Sequence, residues 1–343
     1  MIIGKYAMRW LLISMIGLVC ICFVVQLLLS ESFTCRQVLV DFKSSLFSFQ
    51  KSAAETLSSD SGALSAEFQP NLIVHYVRYY NVSTPTKEDN SLGLLDCLGL
   101  YSVILNLEPD VIYVHTNVPS FWPFDRCETT MNVTIRWPHV ELIYAPYEYV
   151  ANGQRIGWIT HEADIRKMTV VEKYGGLTLD FDVYIISGIK VRHLLADNPC
   201  IICYEAIGNT MTDADDAVNV GFFGCREPHS TFPQLVLEES YKKNYHSSCW
   251  LCNIGIIPMK ILRNHTEAAV LVHNVCDTPS WIDRNDFNED RGVFSWKEKP
   301  AFHSFFHNST FSLDDVMKLD SDLGDVFRWI LKGSPAHLVG ELN

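Results

Sequence analysis

The segment from His161 to Asp182 constrains the fold of this chain more than any other part of its sequence. Apolar residues recur at helical spacing across 160–173, which predicts a helix. Gly175 and Gly176 follow, and glycine readily takes the left-handed conformation with which many helices end. The next residues alternate in polarity and are β-prone. The segment therefore predicts a helix, a glycine turn and a strand in succession.

Two carboxylates, Asp180 and Asp182, stand one residue apart where this strand ends. In an extended chain, residues i and i+2 point to the same side, so both carboxylates should aim at one point. An unpartnered charge is costly beside an apolar strand. Carboxylate oxygens suit Mg²⁺ or Mn²⁺, which can bridge to substrate phosphates, so we predict a divalent-metal site here. We interpret the similar pairs Asp213-Ala-Asp215 and Asp320-Ser-Asp322 as solvated acidic loops.

The same segment resembles that of the glycosyltransferases with a DXD-containing sugar-binding region, which include α-1,4-galactosyltransferases and initiating α-1,6-mannosyltransferases. The family segment runs His-x-x-Asp-x-x-Arg, then about seven residues, then Gly-Gly-x-Tyr-x-Asp-x-Asp. Two positions differ: Lys167 replaces the arginine, keeping its charge without its planar fork, and Thr178 replaces the tyrosine. The matching residues are His161, Asp164, Tyr174, Gly175, Gly176, Asp180 and Asp182.

The resemblance extends over roughly residues 69 to 310. Phe68–Val77 resembles the opening strand of the family, and Glu108–Thr116 resembles the second strand. Asn219–Gly224 is similar to a family segment near the acceptor site, and Ala301–His307 is similar to the C-terminal segment.

The resemblance implies a metal-dependent retaining glycosyltransferase that moves a hexose from a nucleotide sugar to a glycan or glycolipid acceptor. It implies Mn²⁺, or Mg²⁺, bound by Asp180, Asp182 and His303. It implies that the donor is bound by His75, Asp164, Lys167, Gly175, Gly176 and Asp180. No nucleophile is assigned, and the candidate carboxylates near the acceptor are Glu205, Asp215 and Asp216.

Other interpretations remain open at this stage. His75 and His303 could each be an ordinary hydrogen-bonded histidine, which is how we interpret His115. The changes at Lys167 and Thr178 leave room for a catalytically impaired protein that binds nucleotide sugars or glycans. A glycosidase fits less well, because hydrolysis needs two carboxyl groups flanking a bond, about 5–9.5 Å apart, rather than a pair at one strand end.

Strand and helix patterns alternate along the chain, which predicts an α/β fold with a mostly parallel central sheet flanked by helices. The family resemblance implies the GT-A-like form of this architecture, as a single domain. The predicted helices are Leu92–Asn106 and Thr160–Lys173. The predicted strands are Ile73–Val77, Val111–His115, Val140–Ile143, Leu177–Phe181 and Ile201–Tyr204.

Residues 10–29 are almost continuously apolar and are long enough to cross a bilayer. Lys5 and Arg9 precede them, so we expect residues 1–9 to form a cytoplasmic tail. The alternative is a cleaved signal peptide, but the apolar run exceeds the usual signal core of about 7–15 residues. We predict a single-pass type II protein of the Golgi membrane, with a lumenal stem over 30–68 and a GT-A-like catalytic domain over 69–343.

The net charge of −13 argues against a nucleic-acid partner, which would require a basic surface.

Of the eleven cysteines, Cys20 and Cys22 lie in the predicted anchor, which leaves nine. Cys200-Ile-Ile-Cys203 and Cys249-Trp-Leu-Cys252 could in principle bind zinc or act as redox thiols, but disulfides are expected in an oxidising compartment. An odd cysteine remains, and Cys35 in the stem is the candidate for a stem-linked homodimer.

Four sequons for N-glycosylation occur, and all lie on the predicted lumenal side. Their asparagines are Asn81, Asn132, Asn264 and Asn308.

Overall fold

A computed structural model describes a large part of the chain after the predicted stem, and all of the described residues belong to the unit Gln69–Asn343. The described residues are 72–80, 92–118, 122–205, 216–277, 284–306 and 311–333, without the side chains of 284, 285 and 287. The predicted anchor and stem, Cys35, Asn81, Asn308 and Asp215 lie outside them. No helix within the described residues has the length and apolar character needed to span a membrane.

Eleven strands are present in the described residues. They are β1 (Ile73–Arg78), β2 (Val111–Thr116), β3 (His139–Tyr144), β4 (Val150–Ala151), β5 (Gln154–Arg155), β6 (Gly176–Leu179), β7 (Val183–Ile185), β8 (Cys200–Glu205), β9 (Ala217–Cys225), β10 (Val270–Val272) and β11 (Ala301–His303).

Seven of these strands form one sheet in the order β10-β8-β9-β6-β1-β2-β3, while β11 pairs with β7 and β4 with β5. The neighbours β1–β2, β2–β3, β1–β6 and β10–β8 run parallel. Strand β9 runs antiparallel to both β6 and β8. The predicted mostly parallel α/β sheet is therefore confirmed, with one antiparallel strand inserted near its middle that was not predicted.

The α-helices within the described residues are α1 (Leu94–Ser102), α2 (Cys127–Met131), α3 (Ile159–Tyr174), α4 (Gly188–Asp197), α5 (Thr231–Val236), α6 (Ile257–Asn264), α7 (Arg284–Glu289), α8 (Leu313–Lys318) and α9 (Asp322–Leu331). Three π-helical segments adjoin α1, α5 and α6, at Val103–Leu107, Leu237–Lys243 and Cys252–Ile256. Both predicted helices are present, and the first is α1 with its π-helical extension.

The alternating side chains of the strands divide the core into two layers, one on each face of the sheet. Leu177 of β6 and Ile201 of β8 belong to the layer that includes α1 and α9. Ile202 of β8 and Phe223 of β9 belong to the other layer, which receives Val171 and the rest of the apolar face of α3. Helix α3 is therefore fixed against the sheet along its length.

The turn between α3 and β6 needs both of its glycines. Gly175 and Gly176 have φ values of 67° and 85°, a region that residues with side chains rarely occupy. A Cβ atom on Gly176 would lie 2.5 Å from the carbonyl oxygen of Ile73 on β1. The double glycine thus lets β6 leave the helix and pair closely with β1.

All eight cysteines of the described residues are paired in disulfides: Cys97–Cys127, Cys200–Cys225, Cys203–Cys276 and Cys249–Cys252. The expectation of disulfides rather than zinc or free thiols is confirmed for both CxxC units. The two units pair differently. Cys249 and Cys252 bond to each other, whereas Cys200 and Cys203 bond to cysteines outside their unit. This number of disulfides indicates a domain of the secretory pathway.

Candidate active site

The two carboxylates of the central motif are brought together by a tight turn rather than by strand alternation. Strand β6 ends at Leu179, and the amide of Val183 donates to the carbonyl of Asp180 at 3.1 Å. The amide of Asp180 in turn donates to the carbonyl of Gly221 on β9 at 2.9 Å. These bonds anchor both ends of the turn, so the Asp180 and Asp182 side chains lie at the edge of the sheet.

His303 joins the two aspartates from a distant part of the chain. Strand β11 pairs antiparallel with β7, which places His303 opposite Val183. Its Nε2 lies 3.0 Å from Oδ2 of Asp182. One ligand atom from each of Asp180, Asp182 and His303 lies within 4.8 Å of the others. The structure therefore assembles the three residues predicted to bind the metal.

The charge and hydrogen bonding of His303 fit a cation site. Burial lowers the pKa of its imidazole, but the carboxylates of Asp182 and Asp180 outweigh burial, so the net shift is upward. Its Nδ1 is buried and has no hydrogen-bond partner among the described residues. The aspartates therefore create a negative potential that favours positive charge at this position, and His303 would act as a metal ligand only through its neutral ring, with a bound cation taking the place of the proton.

Gly221 leaves the space that such an ion would need. A Cβ atom at this position would lie 2.8 Å from Oδ2 of Asp180, 2.8 Å from Oδ1 of Asn219 and 3.0 Å from Cε1 of His303. Only glycine lets the β9 backbone approach the cluster this closely. The oxygen-rich donor set and this open space fit a divalent cation such as Mn²⁺ or Mg²⁺.

Lys167 links the carboxylate cluster to helix α3. Its ammonium lies 2.6 Å from Asp180 and 3.4 Å from Asp164. Burial lowers the pKa of Lys167, but the two carboxylates outweigh burial and the net shift is upward, so the amine is charged. Burial raises the pKa of Asp164 to about 6, against the opposing influence of Lys167. Lys167 therefore stabilises the negative charge of Asp180 and holds its side chain in the observed position.

These residues line a cavity of about 650 Å³, within the range of typical ligand pockets. Its charged lining residues include Asp164, Lys167, Asp182 and His303. Its apolar lining residues are Val77, Phe181, Val218, Val220, Trp250, Leu251, Ile254 and Phe305. The cavity therefore offers both charged and apolar contacts to a ligand.

Glu205, at the end of β8, is the predicted acceptor-side carboxylate that reaches this cavity. Its Oε2 accepts a hydrogen bond from Nδ2 of Asn219 at 3.0 Å, and burial raises its pKa. Asp216 is not among the cavity-lining residues; it contacts the hydroxyl of Tyr204 and the guanidinium of Arg263 instead. Of the carboxylates predicted to lie near the acceptor, Glu205 is therefore the one that the described structure places in the cavity wall.

The structure does not bring His75 or the double glycine into the cavity wall. Both ring nitrogens of His75 have partners, His115 at 3.1 Å and the carbonyl of Gly175 at 3.0 Å. Burial lowers the pKa of His75 to about 4 and that of His115 to about 3, so both are neutral. Donor binding by His75, Gly175 and Gly176 stays a prediction.

Three residues of the site have no assigned role in the sequence interpretation: Gly221, Asn219 and Trp250. The first two lie in the segment Asn219–Gly224, which was noted only for its family resemblance. Trp250 lies inside a CxxC unit that was considered only for its cysteines. A glycine within a β-prone run, which often marks a close backbone approach, was the available signal for Gly221.

No family model matches this chain. Over 213 residues it is 25% identical to Glucan organizing enzyme 1 of Cryptococcus neoformans, covering 61% of this chain and 54% of that protein. The chain thus spans about half the length of this curated relative.

Among solved structures, the chain is similar to the galactosyltransferase LgtC in complex with donor and acceptor sugar analogs. The TM-score is 0.40 and the identity 13%, over 79% of this chain and 100% of LgtC. It is also similar to the glycosyltransferase GlyE of Streptococcus pneumoniae, with a TM-score of 0.40 and 11% identity over 79% of this chain and 62% of GlyE. Glycosyltransferases are thus among the structures that this chain resembles.

Proposed function

We propose that this protein is a metal-dependent, retaining glycosyltransferase that moves a hexose from a nucleotide sugar to a glycan or glycolipid acceptor. The observation that supports this most directly is the convergence of Asp180, Asp182 and His303 beside a glycine that leaves room for an ion. The name of the fungal relative refers to glucan, a hexose polymer, which agrees with a hexose donor.

The charge of the cavity explains why a metal would be needed. Five carboxylates line it, from Asp96, Asp164, Asp180, Asp182 and Glu205, whereas Lys167 is the only lysine or arginine in the described lining. A diphosphate would be repelled by this excess of negative charge. A divalent cation held by Asp180 and Asp182 would offset this charge next to the diphosphate and would neutralise the charge that develops on the departing nucleoside diphosphate.

The chain's own residues would divide the work as follows. Asp180, Asp182 and His303 would hold the cation against the diphosphate. Lys167 would keep Asp180 in position through its 2.6 Å ion pair and would place a positive charge beside the donor. Asp164, buried next to Lys167, would accept a hydrogen bond from a hydroxyl of the donor sugar.

Glu205 is our candidate for the carboxylate that faces the reacting sugar. Asn219 holds its Oε2, and Asn219 Oδ1 also accepts from the amide of Gly221 at 2.6 Å, which ties Glu205 to the metal cluster. We expect Glu205→Gln to lower kcat much more than it changes the donor KM, because an amide keeps the size and one hydrogen bond but loses the charge.

We also propose that the protein resides in the Golgi membrane as a single-pass type II protein. The apolar residues 10–29 support the anchor, and the disulfides of the described residues support a lumenal catalytic domain. The eight paired cysteines leave Cys35 as the odd one after the anchor, which supports the stem-linked dimer. Electrophoresis without reductant tests it: a dimer band that vanishes in Cys35→Ser is expected, and a monomer alone would exclude it.

The function is tested by incubating the purified full chain with UDP- and GDP-hexoses, Mn²⁺ and a mixture of glycan acceptors, and measuring release of nucleoside diphosphate and labelled glycan. Asp182→Asn should abolish transfer and weaken Mn²⁺ binding. Asp320→Asn is a matched control, because Asp320 belongs to the Asp320-Ser-Asp322 pair, which has the same spacing, and its side chain is 79% exposed. Undiminished transfer by Asp182→Asn would contradict the proposed metal role.

The second candidate is a protein that binds nucleotide sugars without transferring them, which the Lys167 and Thr178 positions favour. Thr178 is buried in the sheet, and its hydroxyl has no partner among the described residues, so it replaces the family tyrosine without an evident polar role. Mn²⁺-dependent binding of a nucleoside diphosphate without transfer to any acceptor would favour this candidate over the enzyme.

A further inference from the structure

The cavity wall contains an exposed indole that the metal site does not use. Trp250 lines the cavity and is 53% exposed, which makes it the most exposed tryptophan among the described residues. The exposed ring lines the same cavity as Asp180, Asp182 and His303, so a ligand bound there can contact both. Its neighbourhood shows that the ring is held in this position from several sides.

The loop that carries Trp250 is closed at both ends. The Cys249–Cys252 disulfide encloses it, and the side chain of Asn253 hydrogen-bonds both the amide and the carbonyl of His246, at 2.8 and 2.9 Å. The hydroxyl of Ser240 donates to the carbonyl of Asn253. The disulfide and these hydrogen bonds restrain the loop, which holds the backbone of Trp250 in place beside the cavity.

The N-terminal end of α3 and the residue before it support the same tryptophan. The ring of Trp158 packs against that of Trp250 with centroids 4.6 Å apart. Nε2 of His161 lies 3.0 Å from the Trp250 carbonyl, which can only accept, so this nitrogen carries a proton. Burial lowers the pKa of His161, and in the neutral ring Nδ1 then accepts from the Tyr245 hydroxyl, 2.8 Å away. His161, the first residue of the central motif, therefore has a defined partner at the cavity wall.

We propose that Trp250 is the platform on which a hexopyranose ring of the acceptor stacks, and that His161 is the residue that positions it; this rests on the proposed function. A pyranose ring has an apolar face of C–H groups and a polar rim of hydroxyls. The face of the indole can pack against the C–H groups, and the carboxylates that line the cavity can accept hydrogen bonds from the hydroxyls. Both line one cavity, so a ring stacked on Trp250 would lie in the same cavity as the proposed donor site.

Binding measured without turnover tests the platform. Saturation-transfer NMR with methyl α- and β-hexopyranosides, in the presence of Mn²⁺ and UDP or GDP, reports contact between protein and sugar ring. We expect wild type and Trp250→Phe to saturate the ring protons, and Trp250→Ala to weaken glycoside binding about three- to tenfold. Trp122→Ala is the matched control, because Trp122 is also exposed and packs against two aromatic rings, Phe124 and Trp137, outside the cavity.

The positioning role of His161 is tested through its tyrosine partner. Tyr245→Phe removes the hydroxyl that fixes the imidazole, and we expect it to raise the KM for the glycoside bound by wild type, with kcat and nucleotide affinity unchanged. Tyr241→Phe is the matched control, because the Tyr241 hydroxyl is buried without a partner among the described residues.

The outcomes separate this proposal from the proposed function. Equal glycoside binding by wild type and Trp250→Ala, or no binding of any glycoside by wild type, would overturn the platform. A wild-type protein that binds glycosides at Trp250 yet transfers no sugar would support the platform while removing the transferase.

Discussion

The space beside Gly221 predicts how the site responds to a single added methyl group. In Gly221→Ala, the new Cβ would lie 2.8 Å from Oδ2 of Asp180 and 3.0 Å from Cε1 of His303. Comfortable contacts begin near about 3.5 Å, so the aspartate must move by about 0.7 Å. The affected atoms are side-chain ends, so we expect a stability loss at the low end of the about 1–3 kcal/mol typical of overpacking.

The effect on the metal should be larger than the effect on stability. Asp180 and His303 would be pushed apart while both remain present, and disturbing the support of metal ligands typically costs about 10–100-fold in affinity. Calorimetric titration with Mn²⁺ measures this affinity, and thermal unfolding measures the stability. Gly157→Ala serves as the control, since a Cβ there meets nothing within 4 Å. If the two variants bound Mn²⁺ equally, the space beside Gly221 would not be the cation site.

Three further predictions concern other parts of the molecule. Removing the Cys203–Cys276 disulfide, with a separation of 73 residues, should cost about 4 kcal/mol, against about 2 for Cys249–Cys252, with a separation of 3; equal losses in denaturant unfolding would contradict this. Asn132 and Asn264 are exposed, so each Asn→Gln variant should lose one glycan in a gel-shift assay with glycosidase. Burial lowers the pKa of Lys299 from 10.5 to about 8, so the unfolded chain binds more protons between these values and stability should rise with pH there. Lys299→Met should remove that part of the rise, and an unchanged pH profile would contradict the assignment.

The local part of the site could be predicted because its determinants are close in sequence. The helix predicted at 160–173 is α3 (Ile159–Tyr174), and the double glycine ends it, as expected from the backbone freedom of glycine. The spacing of Asp164 and Lys167 put them on one face, and the structure pairs them at 3.4 Å. Periodicity and turn chemistry act over a few residues, so one segment contained the needed information.

The two carboxylates lie close together as predicted, but the backbone conformation that brings them together differs from the predicted strand. Strand β6 stops at Leu179, two residues before the predicted end, and Asp180 and Asp182 meet through a turn. The hydrogen bond between the Asp180 amide and the carbonyl of Gly221 on β9 stabilises this turn. No sequence pattern within the segment predicts that contact.

Long-range pairing explains what the sequence could not indicate. His303 meets Asp182 across 121 residues because β11 pairs with β7, and short strands of three residues leave little periodicity to recognise. His303 was named only through family resemblance. Strand β9, with nine residues, was not predicted, and neither was its antiparallel direction, because a run of β-prone residues does not reveal the direction of its neighbours.

One helix connects the two ends of the proposed reaction site. His161, Asp164 and Lys167 repeat every three residues along one face of α3, and six residues of helix span about 9 Å. At one end, His161 holds the carbonyl of Trp250; at the other, Lys167 holds the carboxylate of Asp180. Because the apolar face of α3 packs against the sheet, the helix would fix the distance between the proposed acceptor platform and the candidate metal site. The protein would therefore hold a donor and an acceptor bound at these two positions at a fixed separation. This lowers the entropic cost of bringing the two reactants together, an advantage that a transferase needs and a protein that only binds does not.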